Sequence, residues 1–248
     1  MAHRRPDGPP AGFVLSAEAL GHPLLRPDEC VRNDVTVGPP GSFLLVTGSN
    51  MSGKSTLLRA LGSNVVLAQA GGPVCAASFR LPALRVHTSM RIDDSLARGV
   101  SLFMAELLRV RDIVRAADSD GPAVFYLLDE ILHGTNTAER RVAARGVIRH
   151  LLEAGAIGAV STHDLTLARA PDLEAAAEAV HFREEVEEVR DGEEAPATRL
   201  HFDYTLRPGI ATTRNALKLL EAVGLGGLEL EEDEGQEGEA GEVGPAHR

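Results

Sequence analysis

One stretch of the chain has the residue types and spacing of a loop that binds phosphate groups. Residues 48–55 read GSNMSGKS, which fits the pattern G-x-x-x-x-G-K-[ST]. Glycines in such a loop let successive backbone N–H groups point at phosphate oxygens, and the helix that follows adds partial positive charge at its N-terminus. The Lys54 ammonium can then reach the β- and γ-phosphates, and the Ser55 hydroxyl can bind Mg²⁺. A strand pattern precedes the motif and a helical pattern follows it, so a chance glycine-rich turn is the weaker interpretation.

Two carboxylates follow a second apolar run. Residues 123–128 read AVFYLL, and Asp129 and Glu130 come directly after them. A carboxylate at the tip of such a strand can hold Mg²⁺ through water molecules, and its neighbour can polarise an attacking water. The pair alone would also fit a solvated strand end, so its interpretation depends on the phosphate loop. We expect Asp129 to be the magnesium-linked acid and Glu130 to be the catalytic base.

His163 follows a third apolar run, in the sequence VSTHD at 160–164. At the C-terminal end of a strand it would lie on the edge where open α/β sheets bind ligands. There it could hydrogen-bond a γ-phosphate or the attacking water, although a single histidine is more often structural. We favour a functional role because three strand ends then converge on one site.

The elements that must position these residues alternate between strands and helices. Apolar runs predict strands at 42–47, 123–128 and 156–160, and helical periodicity predicts helices at 54–70, 101–117, 137–153 and 213–223. Residues 71–100 are predicted to be irregular, with short strands at most. Residues 181–206 are typical of a β-hairpin with its turn near 191–196. This order predicts an α/β fold with a central, mostly parallel sheet flanked by helices, and a late antiparallel hairpin.

Composition and charge narrow the function classes. The chain has 248 residues, 44% of them hydrophobic and 25% charged, so it can bury a core without disulfides or metals. Its net charge of −11 argues against a generally basic nucleic-acid-binding surface. An aromatic content of 4%, without tryptophan, argues against stacking of many bases. Two cysteines make no disulfide framework, and no apolar run is long enough to cross a bilayer, so we expect a cytoplasmic protein without a membrane partner.

Both ends of the chain differ in composition from its centre. Residues 1–12 are rich in Pro, Gly and Arg, and residues 229–248 contain eight acidic residues and one basic residue. Segments of this kind bury too little apolar surface to fold. We therefore expect disordered termini at 1–12 and 229–248 around one folded domain at 13–228.

Four motifs, in this order, resemble the ATPase domain of the MutS family of DNA mismatch-repair proteins, which belongs to the ABC-type ATPases. They are GSNMSGKST (48–56), SLFMAEL (101–107), LLDEILHGTNT (127–137) and STHD (161–164). The resemblance extends over about residues 20–225. It implies a P-loop NTPase of ABC-ATPase type that binds ATP and Mg²⁺.

The resemblance also implies roles for individual residues. The phosphate loop would consist of Gly48, Ser49, Asn50, Met51, Ser52, Gly53, Lys54, Ser55 and Thr56, with Ser55 and Asp129 at the metal. Ser101 would be the signature serine that reaches the γ-phosphate held by a partner subunit. Glu130 would be the base and His163 the switch histidine. Residues 134–137 would join the two sites of a dimer, residues 22–25 would open the domain, and Tyr204 would lie near adenine.

Several positions depart from the family pattern. Ser49 replaces a usual Pro, Leu102 replaces a usual Thr, and His133 stands where Arg or Gly is common. Cys30 falls about where an aromatic often stacks on adenine. Residues 79–91 resemble a divergent, MutS-like branch. The family's mismatch-reading, connector, lever and clamp domains have no counterpart in this sequence, so we expect either an ATPase fragment or a short member that borrows its DNA contacts.

Two functions remain open at this point. The first is ATP hydrolysis by a head-to-tail homodimer, coupled to binding of mismatched double-stranded DNA and to mismatch repair. The second is a non-catalytic, nucleotide-binding dimerisation or scaffold module. Intact Glu130 and His163 favour the first. A transporter-type or structural-maintenance ATPase would need an LSGGQ-like signature, which the sequence lacks.

Overall fold

A six-stranded sheet forms the centre of the computed structural model, which describes residues 13–90, 102–132, 136–189 and 197–211. In chain order, the elements are β1 (Leu15–Leu20), β2 (Asn33–Val37), β3 (Phe43–Thr47), α1 (Lys54–Gln69), β4 (Ser78–Arg80), β5 (Leu84–Ser89), α2 (Leu102–Asp118), β6 (Ala123–Asp129), α3 (Thr137–Glu153), β7 (Ile157–Thr162), α4 (Leu165–Ala168), α5 (Pro171–Glu174), β8 (Ala177–His181), β9 (Glu184–Val189), β10 (Ala197–Phe202) and β11 (Arg207–Pro208).

The central sheet has the order β11-β8-β3-β7-β6-β5. Strands β8, β3, β7, β6 and β5 run parallel to one another, and only β11 is antiparallel to its neighbour. The strands β3, β7 and β6 are adjacent, so the residues that follow them meet at one edge of the sheet. The phosphate loop follows β3, Glu130 follows β6 and His163 follows β7.

Alternating side chains of the central strands pack into two separate cores. On β3, Leu44 and Val46 point into a core with α1, β1 and β2, whereas Phe43 and Leu45 point into a core with α2 and α3. This period of two is the ordinary consequence of strand geometry, and burial on both faces explains why the strands are apolar without interruption. The sheet is therefore flanked by helices on both faces.

Two smaller sheets complete the described fold. Strands β2, β1 and β4 form an antiparallel sheet that packs on the α1 side, and β9 and β10 form an antiparallel pair. The prediction of a mixed α/β fold with a mostly parallel sheet, flanking helices and a late hairpin is confirmed in these respects. Within the described parts of the chain, no helix is long and apolar enough to cross a membrane.

The element boundaries show where the sequence pattern misled. His181 ends the parallel strand β8 and does not begin the hairpin, which starts at Glu184. Tyr204 lies beyond the end of β10 and has a positive φ of 52°, so the predicted extension of the hairpin to residue 206 is wrong. The predicted helix at 213–223 and the termini at 1–12 and 229–248 lie outside the described residues. The domain limits 13–228 stay a prediction.

Gly158 fills a position in β7 where a side chain would collide with β6. A Cβ atom there would lie 2.2 Å from the Tyr126 carbonyl oxygen and 2.5 Å from its ring. We expect Gly158→Ala to lower the free energy of unfolding by about 3 kcal/mol, because the ring and backbone of a packed strand must shift. Urea unfolding measures the change. Gly146→Ala is the control, since nothing lies within 4 Å of that Cβ. Equal stability of the two variants would contradict this packing.

Candidate functional site

The phosphate loop runs from the end of β3 to the start of α1, as its sequence predicts. Gly48, Met51 and Gly53 have φ angles of 141°, 69° and 108°, which turn the backbone tightly around the helix N-terminus. Gly53 directly precedes α1, whose first turn contains no acidic residue. No acidic side chain of the first turn therefore neutralises the partial positive charge at the N-terminus of α1, and this charge can stabilise a bound anion.

Lys54 is the buried cation of this loop, with 5% of its side chain exposed. Its Nζ donates hydrogen bonds to the carbonyl oxygens of Gly48 at 2.9 Å and Ser49 at 2.7 Å. Burial lowers the pKa of Lys54, and the carboxylates of Glu130, Asp129 and Glu184 partly oppose that shift. The ammonium is held at the mouth of the loop by neutral carbonyls, where an anionic ligand would gain from its charge.

Glu130 joins the lysine to the histidine. Its Oε1 lies 3.7 Å from Lys54 Nζ, and its Oε2 lies 2.7 Å from His163 Nδ1. The backbone of Glu130 has a φ of 53°, and Leu132 in the same turn has a φ of 57°. Side chains seldom adopt this left-handed conformation, and such strained residues cluster at functional sites. In this conformation the Glu130 side chain contacts Lys54 of the phosphate loop and His163.

Asp129 is fixed through the neighbouring strand. The two residues Asp129 and Ser161 are partners in the parallel register of β6 and β7, and the Ser161 hydroxyl donates to Asp129 Oδ1 at 2.5 Å. The Ser161 carbonyl accepts from the Glu130 amide at 3.2 Å. Both acidic residues are therefore anchored on one residue of β7. Asp129 and Glu130 point in different directions, as adjacent residues at a strand end should.

A cavity of about 430 Å³ opens beside the loop. Among the predicted site residues, its lining includes Asn50, Met51, Gly53, Lys54, Ser55, Thr56, Glu130 and Tyr204. The cavity lining does not include five other predicted site residues, namely Gly48, Ser49, Ser52, Asp129 and His163. Two of these are close to the lining, because Asp129 is adjacent to Glu130 in sequence and His163 contacts Glu130. The cavity has the size of an ordinary small-molecule site.

The far wall of the cavity comes from the segment between β1 and β2. It includes Gly21, His22, Leu25, Cys30 and Val31. Residues 22–25 and Cys30 were predicted from the family resemblance, whereas the remaining wall residues carry no local sequence signal. Phe182 also lines the cavity; it was not predicted because residues 181–206 were assigned to the hairpin.

Tyr204 reaches the loop from the end of the hairpin. A Cβ atom on Gly53 would lie 3.1 Å from the Tyr204 ring, so the tyrosine is packed closely against the loop. Asn33 of β2 holds the segment, because its Nδ2 donates to the Tyr204 carbonyl at 3.0 Å and its Oδ1 accepts from the Leu206 amide at 2.7 Å. The ring of Tyr204 is stacked on Phe202 with centroids 6.0 Å apart. An aromatic face is thus present at the cavity.

Two buried carboxylates near the site escaped the sequence analysis. Glu106 of α2 is 7% exposed, and its Oε1 accepts a hydrogen bond from the Leu132 amide in the strained turn after Glu130. Glu184 accepts a hydrogen bond from the Ser49 hydroxyl of the phosphate loop. Each ties a separate element to the site, and neither contact follows from a local pattern. The motif FMAEL contained Glu106, but its partner lies 26 residues away.

The donor set fits a magnesium nucleotide. The Ser52 hydroxyl is buried and has no hydrogen-bond partner in the described structure, so it could donate to a phosphate oxygen. Ser55 and Asp129 offer the oxygen ligands that Mg²⁺ prefers. The described residues contain no cluster of three or more His, Cys, Asp or Glu for a metal alone, so the ion would depend on phosphate oxygens as well. Ser101, Gly134 and Thr135 lie outside the described residues.

Comparison with known proteins gives one consistent result. The family model described as MutS domain V matches residues 44–228. The chain is 34% identical over 218 residues to the DNA mismatch repair protein MutS 2 of Halobacterium salinarum and 33% identical over 218 residues to MutS protein homolog 4 of Mus musculus. It is 39% identical over 151 residues to the DNA mismatch repair protein MutS of Shouchella clausii.

These alignments cover most of this chain but little of each relative. The first two include 86% of this chain, and 24% and 22% of the relatives, while the third includes 60% of this chain and 17% of the relative. The chain therefore spans about a quarter of the length of the first two of these relatives. With more than half of its residues matched by the family model, the chain belongs to the MutS family, and its matched part is domain V.

Proposed function

We propose that this domain binds ATP with Mg²⁺ and hydrolyses it. The observation that carries the proposal is the connected set of Lys54, Glu130 and His163 at the ends of three adjacent parallel strands, beside a cavity of nucleotide size. A phosphate loop alone would support binding. A carboxylate held between its lysine and a histidine supports chemistry at the γ-phosphate.

The phosphate loop supplies the binding half of the function. Backbone N–H groups at the start of α1 and the Ser52 hydroxyl donate to phosphate oxygens, and the Lys54 ammonium offsets their charge. Ser55 and Asp129 would hold Mg²⁺, which when bound neutralises charge on the β- and γ-phosphates. Tyr204 and the wall around Cys30 would contain the adenine ring.

Glu130 supplies the hydrolytic half. Its carboxylate accepts a proton from a water whose oxygen attacks the γ-phosphorus, while the bond from that phosphorus to the β-bridging oxygen breaks and ADP leaves. His163 orients the carboxylate by its 2.7 Å contact with Oε2. Glu106 supports the same turn from α2. This arrangement holds the proposed base beside the lysine, with 3.7 Å between Glu130 Oε1 and Lys54 Nζ.

We also propose the ABC-type arrangement in which two copies pair head to tail. Ser101, just before α2, would complete the site of the partner subunit. The relatives named as mismatch-repair proteins suggest that ATP turnover is coupled to binding of mismatched double-stranded DNA in the whole protein. A cytoplasmic location and membership of a divergent MutS-like branch stay predictions that belong to this proposal.

A mixing experiment tests hydrolysis and pairing together. Phosphate release is measured for Ser101→Ala alone, Lys54→Ala alone and the two mixed, each with and without mismatched duplex DNA. In a mixed head-to-tail dimer, the intact phosphate loop of the Ser101→Ala chain faces the intact Ser101 of the Lys54→Ala chain. One of the two sites is then complete. We expect each variant alone to be nearly inactive and the mixture to recover part of the wild-type rate.

The controls separate the alternatives. Recovery should depend on protein concentration, since it requires association of two different chains. No gain on mixing, with an active wild type, would contradict the shared site. Nucleotide binding without phosphate release in the wild type, with or without DNA, would favour the non-catalytic scaffold.

A further inference from the structure

The two cysteines meet at one point on the wall of the cavity. A Cβ atom built on Gly21 would lie 2.9 Å from Cys30 Sγ and 3.0 Å from Cys75 Sγ. The two sulfur atoms are therefore at most about 6 Å apart, and a disulfide bond, which is about 2 Å long, would require the two side chains to move toward each other. Both thiols are free and half-buried.

Gly21 is what permits this approach. Gly21 does not have the positive φ that favours glycine, so its backbone conformation does not require this residue type. The lack of a side chain matters because it leaves space for the two sulfur atoms. Any Cβ would fall between the two sulfur atoms and displace them. Gly21 is 9 residues from Cys30 and 54 residues from Cys75 in the sequence, and its lack of a side chain leaves space beside both sulfur atoms.

The framework around the pair is rigid and leads to the phosphate loop. Asn64 of α1 is fully buried; its Nδ2 donates to the Gly21 carbonyl at 3.0 Å, and its Oδ1 accepts from the Cys75 amide at 2.6 Å. The Gly21 amide donates to the Cys75 carbonyl at 2.7 Å. Gly21 and Cys75 are therefore fixed to the helix that begins at the phosphate loop.

Cys30 differs because it belongs to the cavity wall. It lines the cavity together with Gly21, whereas Cys75 does not. Moving the Cys30 sulfur to bonding distance of Cys75 takes it out of its place in the wall. If a ligand packs on the wall with the Cys30 thiol in this position, linkage requires that the bonded form bind that ligand less well.

We propose that Cys30 and Cys75 form a reversible intramolecular disulfide that weakens nucleotide binding in the adjacent cavity. With a small-molecule disulfide as oxidant, one protein thiolate attacks it and releases one thiolate, which leaves a mixed disulfide. The second protein thiolate then attacks the sulfur of that cysteine and releases the second thiolate. The two protein thiols lose two protons and two electrons, and the oxidant is reduced to two thiols. The consequence for binding rests on the proposed function, whereas bond formation does not.

Oxidised glutathione tests the bond itself. The full chain is equilibrated with it, the remaining thiols are blocked, and peptide mass spectrometry without reductant identifies the products. We expect a Cys30–Cys75 cross-linked peptide that dithiothreitol removes. The variants Cys30→Ser and Cys75→Ser should instead each retain one glutathione. Gly21→Ala should lose the cross-link and gain mixed disulfides, while Gly146→Ala should behave as wild type. Mixed disulfides on both cysteines of the wild type, without a cross-link, would overturn the proposal.

Nucleotide affinity tests the consequence. ATP binding is titrated with Mg²⁺ for the reduced and the cross-linked chain. The double variant Cys30→Ser/Cys75→Ser, which has no thiol left to modify, is titrated before and after the same treatment as a control for oxidation elsewhere. We expect the dissociation constant to rise about fivefold or more on cross-linking, and to be restored by dithiothreitol. Equal affinities of the two forms would overturn the regulatory part. If the reduced chain does not bind ATP, the proposed function is contradicted. Formation of the disulfide is still tested, because mass spectrometry detects the cross-linked peptide without nucleotide.

Discussion

Lys54→Ala is expected to weaken ATP binding about 100-fold, which corresponds to about 3 kcal/mol. The Lys54 ammonium is 5% exposed and lies between two loop carbonyls and the Glu130 carboxylate. Without it, the phosphate charge would face Glu130 and Asp129 and would lose the positive charge of the loop's own lysine. Titration calorimetry with Mg²⁺ and ATP measures the loss.

The matched control for the lysine is Arg149→Ala, which removes the same charge from the exposed face of α3. It should leave ATP affinity unchanged. Thermal unfolding of both variants separates loss of binding from loss of folding, since Lys54 also donates to the loop backbone. A folded Lys54→Ala chain that binds ATP as tightly as wild type would show that the loop does not receive the phosphates.

Glu130→Gln should leave ATP bound but slow its hydrolysis roughly 100-fold or more, the usual contribution of a general base. The amide keeps the size of the carboxylate but cannot take a proton from water. Because the substitution also removes a negative charge 3.7 Å from Lys54, phosphate binding should not weaken. The expected result is therefore a fall in kcat with an unchanged or lower dissociation constant, measured by single-turnover hydrolysis and by titration.

Glu153→Gln is the control for the base, because that carboxylate is exposed at the end of α3. It should retain wild-type turnover. A Glu130→Gln chain with wild-type turnover would remove Glu130 from the chemistry. A variant that neither binds nor hydrolyses ATP would instead indicate that Glu130 supports the loop as an ion-pair partner only.

The central strands and the phosphate loop could be predicted because their signals are local. Buried parallel strands are apolar on both faces, so runs such as 123–128 stand out, and the loop motif fixes its own flanking elements. The helices at 54–69, 102–118 and 137–153 agree with the predicted ranges to within a residue or two. Each of these segments carries its information within about twenty residues.

The walls of the site could not be predicted because they depend on distant pairings. Strand β8 is only half-buried, and the sequence AEAVH gives no apolar run, yet it pairs in parallel with β3 and brings Phe182 to the cavity. Glu106 and Glu184 act through contacts with residues 26 and 135 positions away. Gly21 has no signature at all, since its importance lies in which two side chains approach it. Long-range packing of this kind leaves no local pattern.

One triphosphate should occupy the loop and the cavity together, and a crystal structure of the chain with Mg²⁺ and a non-hydrolysable ATP analogue would show whether it does. We expect the γ-phosphate to contact Lys54, the metal to contact Ser55, and the adenine ring to lie between Tyr204 and the wall around Cys30. An analogue bound outside the loop, or a loop that stays empty at saturating analogue, would contradict the account.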